Sequence, residues 1–217
     1  MWKHRLFRFS VRALLFLTLL IAVPFAIYAY NRQAAARQIA IVKQLKTAGG
    51  SVIRYEWEHD ANWNPGERTY PQWIERMLGS DGLYAVNTLF LEDKEEPDEI
   101  IEHASGLRRL RMLKLPGCKI TANSLLPLET LNRLEWLDLF MTPADDQCVR
   151  SISKIKSLKI LDLRSTKITD KCIDEIISLP NLSELLVIDT GLSPAGIERL
   201  RSLLTKCKIV VSYSDLK

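Results

Sequence analysis

The chain has 217 residues, an apolar fraction of 47% and a formal net charge of +4. This length favours one folded domain with appendages, and the apolar fraction is ordinary for a globular protein. The excess positive charge lies in residues 1–31, which hold Lys3, Arg5, Arg8 and Arg12 and no acid. The rest is neutral as a set, so bulk charge gives no sign of the basic patch that nucleic-acid binding requires.

An uncharged apolar run over residues 13–30 follows the basic start. As a helix it would span about 27 Å, close to the ~30 Å hydrocarbon core of a bilayer. The apolar cores of secretory signals are shorter, at about 7–15 residues, and no small-x-small cleavage site ends this run. Residues 1–31 are therefore predicted to form a basic flank and a transmembrane anchor, with a cleaved signal peptide and a buried soluble helix as alternatives. The dense basic flank favours a cytoplasmic N terminus and a periplasmic or extracytoplasmic repeat domain.

Residues 32–50 are predicted to form a helical stalk. Ile39, Val42 and Leu45 fall at near-helical spacing, and Gly49-Gly50 ends the segment as a C-terminal glycine does. A polar stalk without a function of its own is the preferred interpretation.

Residues 51–82 are predicted to form an N-terminal capping segment. Ser51–Glu58 alternates in polarity, which is typical of a half-buried strand. Three tryptophans lie in this range, Trp57, Trp63 and Trp73. The first coil of a solenoid exposes an apolar end that needs an atypical cap, so cap packing is favoured for these tryptophans over an aromatic ligand site.

Residues 83–217 contain a pattern that recurs at a constant interval, most clearly in Leu158–Asp170, which reads L-x-x-L-x-L-x-x-T-x-I-T-D. The central leucine of the pattern recurs at Leu89, Leu113, Leu137, Leu161, Leu185 and Ile209. Each L-x-L pair predicts a short strand with the leucines inward and the intervening residues outward. Good helix N-caps follow in constant register at Thr121, Asp145, Thr169 and Ser193. The sequence therefore predicts an α/β solenoid of about six 24-residue strand–helix coils.

Two coils depart from this pattern. In the first coil, the acidic stretch Glu92–Glu99 replaces the usual connector and places Pro97 where the other coils carry the cap. A solvated loop is favoured there over a metal-binding loop, since the spaced ligands and glycine of a calcium loop are missing. In the last coil, Lys206 replaces a frame leucine, which suits a terminal strand.

The repeats resemble the leucine-rich-repeat family, in its bacterial form with T-x-I-T-D connectors, and Leu161–Asp170 is the clearest copy. The opening Arg8–Leu15 is similar to the R-F-S-L-R-T-L-L start of membrane-anchored proteins from planctomycete-type bacteria. The resemblance implies a curved solenoid that serves protein–protein recognition and carries no catalytic residue.

No motif for catalysis, a cofactor or a metal emerges from the sequence. The histidines lack partners at metal spacing, and no phosphate loop, dinucleotide fingerprint or nucleophile elbow is present. Asp138 and Asp162 lie one repeat apart and are interpreted as charges on a solvated sheet face, against a catalytic pair. The cysteines are Cys118, Cys148, Cys172 and Cys207. Cys148 and Cys172 share one repeat position and are interpreted there as small buried hydrophobes, and a disulfide between coils stays open. The chain is thus expected not to be an enzyme and to need no cofactor.

The outward strand positions form the candidate partner-binding surface, which we call the strand face. The predicted site residues are Met112, Lys114, Trp136, Asp138, Phe140, Ile160, Asp162, Arg164, Leu186 and Ile188. Exposed apolar and aromatic residues grouped in this way usually mark an interaction site. Its cover by the N-terminal segment or by a self-contact is the competing interpretation. The function predicted is membrane-anchored recognition of a protein of unknown identity, and the alternative is a self-associating envelope protein.

Overall fold

Parallel strands recur at a constant interval along the part of the chain that the computed structural model describes, namely residues 35–47, 52–55 and 84–216 with Thr18, Ala22 and Gln33. The chain divides into two compact units, Met1–Arg37 and Gln38–Lys217. In the first unit, the described residues are helical. The predicted capping tryptophans and, apart from Thr18 and Ala22, the predicted span 13–30 lie outside the described residues. Among the residues that the structure does describe, no helix has the length and apolarity needed to cross a bilayer.

Among the described residues of the second unit, seven strands form one sheet. The strands are β1 (Val52–Tyr55), β2 (Val86–Phe90), β3 (Met112–Lys114), β4 (Trp136–Asp138), β5 (Ile160–Asp162), β6 (Glu184–Leu186) and β7 (Lys208–Val210). They lie side by side in chain order. β1 pairs antiparallel with β2, and the other pairs are parallel. Each parallel pair joins residues that are one repeat apart, as Met112, Trp136 and Ile160 are. The repeat interval of the sequence is therefore the strand register of the sheet.

Short helices return the chain from one strand to the next. Helix α1 (residues 35–47) precedes β1, and the returning helices are α2 (Asp98–Ser105), α3 (Ala122–Leu125), α4 (Asp146–Ile152), α5 (Ile173–Ile177) and α6 (Pro194–Leu203). Three 3₁₀ turns, Leu126–Thr130, Asp170–Cys172 and Tyr213–Leu216, complete the described part of the chain. The predicted caps are confirmed: Thr121, Asp145, Thr169 and Ser193 each accept a backbone N–H of the first turn. Pro97, at the cap of α2, makes no side-chain bond.

The core lies between the sheet and the helices. Both leucines of the frame are fully buried in coils two to four, at Leu113 and Leu115, Leu137 and Leu139, and Leu161 and Leu163. One coil alone cannot bury these residues, so each depends on its neighbours for stability. In the last coil the register position Leu203 is 53% exposed, because no described coil packs beyond it.

Carboxylates at the first position of a helix tie neighbouring coils together. Asp170 accepts hydrogen bonds from the backbone N–H of Ser193 at 2.8 Å and from its hydroxyl at 2.5 Å. Asp146 accepts the equivalent pair from Thr169, and Asp98 accepts one from the hydroxyl of Ser124. The Thr-Asp pair of the T-x-I-T-D connector therefore caps its own helix with one residue and holds the next coil with the other.

A left-handed residue follows each of the strands β2 to β6 in constant register. Asp93, Met141, Ser165 and Asp189 have φ between 49° and 56°, and Gly117 has φ 70°. In this conformation the backbone N–H of Met141 donates to Arg164 O at 3.0 Å, and that of Ser165 donates to Ile188 O at 2.9 Å. The turn thus extends the ladder between coils beyond the strand, although only glycine adopts this conformation without strain.

Helix α1 packs onto the first coil from residue 38 onward. Val42 and Leu45 are fully buried in the main core. The Gln38 side chain donates to Tyr84 O at 2.6 Å and accepts the backbone N–H of Val86 at 3.1 Å. It thereby pairs with the start of β2 as a neighbouring backbone would. Helix α1 therefore packs against the first coil, which the interpretation of residues 32–50 as a polar stalk did not include. The helical spacing of Ile39, Val42 and Leu45 predicts an apolar stripe but does not show which surface that stripe contacts.

Candidate recognition surface

The strand face carries the predicted site residues in register, but less openly than the sequence suggested. Lys114, Trp136, Phe140, Ile160 and Arg164 are half-buried. The other five, Met112, Asp138, Asp162, Leu186 and Ile188, are between 2% and 8% exposed. The expectation that these five face solvent was wrong. Strands about 4.8 Å apart bring long side chains of one face into contact, and each covers its neighbour.

Asp162 and Arg164 form an internal ion pair on this face. Arg164 Nε lies 2.9 Å from Asp162 Oδ1, and its Nη2 lies 2.5 Å from Oδ2. Asp162 also accepts the backbone N–H of Arg164 at 3.1 Å. The hydrogen bond to Asp162 raises the pKa of the Arg164 guanidinium, against the opposing effect of burial. This bidentate pair fixes the guanidinium in one position, where a mobile surface arginine would sample many.

Two aromatic rings of the face lie against cations. Lys114 Nζ is 4.5 Å from the centre of the Trp136 ring, and the Arg164 guanidinium is 5.0 Å from that of Phe140. Both distances fall within the range of a cation–π contact. Each pair joins residues of adjacent coils, so the centre of the strand face carries an ordered layer of two ring–cation pairs.

Asp138 is the equivalent of Asp162 one coil earlier, yet its surroundings differ. Its Oδ1 accepts the backbone N–H of Phe140 at 3.0 Å, and the position that Arg164 fills beside Asp162 is occupied by Phe140. Burial raises the pKa of Asp138, and the nearby Asp162 charge adds to this effect, while Lys114 and Arg164 oppose it. The solvated pair of surface charges expected from the sequence is therefore a buried pair.

The last coils close the face with an apolar cluster. Leu186, Ile188 and Val210 are buried together, and Ile160 packs against them. Leu186 and Ile188, which were predicted to contact a partner, instead pack inside the protein, because β7 places Val210 beside them on the same face. Sequence reasoning left Val210 out of this set, although its register with Leu186 was available.

The residues just before the strands form a second polar surface that sequence reasoning missed. Glu135 lies between two bases, with Arg111 Nη2 at 2.5 Å and Lys159 Nζ at 3.2 Å. Partial burial favours the protonated form of Glu135, but the hydrogen bonds from Arg111 and Lys159 outweigh it and lower the pKa of the carboxyl. A groove of about 540 Å³ opens here, lined by Arg111, Asn132, Arg133, Glu135, Ser157, Lys159 and Asn181. The repeat interval could have predicted this surface from the sequence, because it places positions 111, 135 and 159 side by side.

The cysteines are unpaired thiols with little reactivity. Cys118, Cys148 and Cys172 are buried, and Cys207 is half-buried. Burial raises the pKa of Cys148 to about 11 and that of Cys172 to about 12. A thiol is nucleophilic as its thiolate, so these side chains act as small hydrophobes. No group of three or more potential metal ligands occurs among the described residues.

No family model and no curated protein matches the chain. Solved structures similar to it include a leucine-rich-repeat protein of Leptospira interrogans, at 29% identity over 50% of this chain and 27% of that one, with a TM-score of 0.40. The leucine-rich-repeat ectodomain of the receptor kinase SOBIR1 from Arabidopsis thaliana has 17% identity over 81% of this chain and 91% of its own, with a TM-score of 0.48. An internalin from Listeria monocytogenes has 15% identity over 57% and 47%, with a TM-score of 0.32.

The chain spans about a quarter of the length of the Leptospira protein. The constant repeat interval, the parallel register and the capped return helices are seen in this chain itself. By its own coils, the second unit is an α/β solenoid of strand–helix repeats with a buried leucine frame.

Proposed function

We propose that this protein is a membrane-anchored recognition module that binds a protein partner through the strand face. The observation that carries the proposal is the ordered layer formed by Lys114, Trp136, Phe140 and Arg164. Aromatic residues and arginine dominate the binding energy of protein interfaces, and side chains already held in place lose little entropy on binding.

The buried residues of the face change which positions would contact a partner. Lys114, Trp136, Phe140, Ile160 and Arg164 remain accessible in part and form the contact set. The buried residues of the face pack beneath the contact set and hold it in place. They are Met112, Asp138, Asp162, Leu186 and Ile188. Anchoring rests on the apolar run 13–30, whose length suits a bilayer. The expected location is a membrane, with the solenoid on its periplasmic or extracytoplasmic side.

The test is in-cell crosslinking and capture of the full-length protein from its native membrane. Lys114→Glu reverses a charge on the strand face, and Lys119→Glu makes the same change on an exposed connector. Phe140→Ala removes an aromatic side chain from the face, and Leu126→Ala trims an exposed leucine elsewhere. Arg164 is left unchanged, because its replacement would strand the buried Asp162 carboxylate and unfold the site.

A distinct partner lost with Lys114→Glu and Phe140→Ala, and retained with both controls, would support recognition through the strand face. An identical set of captured proteins in all four variants would contradict it. Capture of only further copies of this chain, together with a stable dimer in a size measurement, would support the self-associating envelope protein instead.

A further inference from the structure

The solenoid separates its charges between the two edges of the sheet. The segments before β3 to β7 are 105–111, 129–135, 153–159, 177–183 and 201–207, and we call their common edge the basic rim. Its bases are Arg108, Arg109, Arg111, Arg133, Lys154, Lys156, Lys159, Arg201 and Lys206, and its acids are Glu129 and Glu135. The opposite edge is acidic, with Glu92, Asp93, Glu95, Glu96, Asp98, Asp145, Asp146, Asp170 and Asp189 against Lys94, Lys119, Arg164 and Lys167. The bulk neutrality of residues 32–217 therefore hides a strong polarity.

Helix capping accounts for many acids of the acidic edge, but it does not account for the bases of the basic rim. Asp145, Asp146 and Asp170 bind backbone amides or caps at helix starts. Acids are favoured at helix N termini and bases in the last helical turn. Arg108, Arg133 and Lys156, however, lie beyond the ends of α2, the Leu126–Thr130 turn and α4. Helix ends do not account for these bases.

The rim cations differ in how they are paired. Arg111 and Lys159 share Glu135, and Lys154 lies 3.5 Å from Glu129. Arg108 and Arg133 are exposed and have no ion pair with any described residue. Because the rim spans several coils at strand spacing, it presents a row of positive charge that fits an extended anionic surface better than one small ligand.

The chain enters this unit at the basic rim. The Gln38 side chain is hydrogen-bonded to Tyr84 and Val86. These residues lie at the start of β2, which is on the rim side of the sheet. A Cβ added to Gly106 of the rim would lie 2.7 Å from Ile41 of α1. The predicted span ends at Tyr30, and the seven residues 31–37 that follow it reach at most about 25 Å even when fully extended. A membrane holding residues 13–30 would thus keep the rim within reach of its headgroups.

We propose that the basic rim docks onto the anionic lipid headgroups of the membrane that holds the chain. This inference rests on the anchoring part of the proposed function. Juxtamembrane bases are attracted to anionic lipid within about a Debye length of the surface. Docking would hold the solenoid by its rim and leave its acidic edge directed away from the bilayer.

The test uses the full-length chain in lipid nanodiscs, with a donor fluorophore on Asn132→Cys in the rim and Cys207→Ser to remove the half-buried thiol. An acceptor sits on a lipid headgroup. Discs of phosphatidylcholine alone are compared with discs containing phosphatidylglycerol. Energy transfer is expected to be higher in the anionic discs than in the phosphatidylcholine discs. This difference should disappear in molar salt, where the Debye length falls to about 3 Å. A donor on Gln147→Cys, at the opposite edge, reports whether the rise is specific to the rim.

Paired charge reversals complete the design. Arg133→Glu with Lys156→Glu should abolish the rise, whereas Lys119→Glu with Lys167→Glu, an equal change of charge on the opposite edge, should leave it intact. Equal transfer in the two kinds of disc, or a rise that survives the rim reversals, would overturn the proposal. So would an oligonucleotide that binds the rim in neutral discs without any lipid-dependent transfer, since it would identify nucleic acid as the partner.

Retention in the discs is scored separately from transfer. Loss of the chain from the discs would reject the anchor and leave the rim to be judged by co-sedimentation with vesicles of the same two compositions. Equal sedimentation with both vesicles would then overturn rim docking as well.

Discussion

The carboxylate of Asp146 accepts two hydrogen bonds from Thr169, one from the backbone N–H at 2.7 Å and one from the hydroxyl at 2.7 Å. Thr169 in turn caps the next helical turn through Lys171 N. One residue pair therefore joins two coils. At the equivalent position one repeat before Asp146 stands Ala122, and the cap that follows it is Asp145. A carboxylate at 122 would face another carboxylate, so the tie occurs where the next cap is a hydroxyl.

Asp146→Ala is expected to destabilise the solenoid by about 1–3 kcal/mol, since the Thr169 N–H loses its acceptor in a part-buried site. Urea denaturation followed by circular dichroism measures the change. Asp174→Ala is the matched control. Asp174 pairs with Arg199 on the exposed surface, and its loss should change stability by less than about 1 kcal/mol. Equal effects of the two variants would contradict a special role for the tie.

Asp138→Asn is expected to stabilise the protein at neutral pH. The raised pKa of Asp138 means that the folded state holds a proton more tightly than the unfolded state does. The charged carboxyl therefore reduces stability as pH rises from the ordinary carboxyl value through the raised folded value. Asparagine keeps the acceptor for the Phe140 N–H without the charge. The gain should be present at neutral pH and vanish below the ordinary pKa of a carboxyl, as measured by urea midpoints across pH.

Asp162→Asn is the contrasting change at the same position one coil later. The Asp162 side chain is 3% exposed and that of its partner Arg164 is 22% exposed. The substitution therefore removes the bonded carboxylate of a largely buried guanidinium and leaves it only the charge of Asp138, to which it is not bonded. We expect a loss of about 2–4 kcal/mol at neutral pH. Opposite signs for the two variants would confirm that equivalent repeat positions have different electrostatic surroundings.

Met141→Gly is expected to raise stability slightly. Met141 has φ 56° and a side chain that is 60% exposed. Relief of left-handed strain of about 1–2 kcal/mol is partly offset by the greater freedom of glycine in the unfolded chain, leaving a gain of up to about 1 kcal/mol. Gly117→Ala, at the same register with φ 70°, should lower stability instead. Thermal unfolding of both variants measures the pair, and a loss in Met141→Gly would contradict the strain argument.

Gln38→Ala is expected to loosen α1 from the first coil. The substitution removes both side-chain bonds to the start of β2 and should cost about 1–2 kcal/mol of local stability. Hydrogen exchange of residues 84–90 measures the loss directly, because local opening is read residue by residue. Gln44→Ala, at an exposed site on the same helix, should leave that exchange unchanged.

The solenoid could be derived from the sequence because its information is local and repeated. The repeat interval, the inward leucines and the N-caps each follow from side-chain chemistry at fixed spacing, and the strands pair in that register. The candidate site was derived only in part. The identities of the outward residues followed from the same interval, but their exposure did not.

Exposure and charge distribution were decided by the tertiary structure. Asp162 is buried because Arg164 folds over it, and Leu186 is buried because β7 brings Val210 alongside. Val42 and Leu45 enter the core because α1 meets the first coil. The basic rim arises because stacking aligns segments that are far apart in the chain. A sequence of this kind determines its own repeat, since each coil carries the whole pattern. Burial and electrostatic field depend on which side chains the neighbouring coils place within a few ångströms, and only the assembled stack determines that.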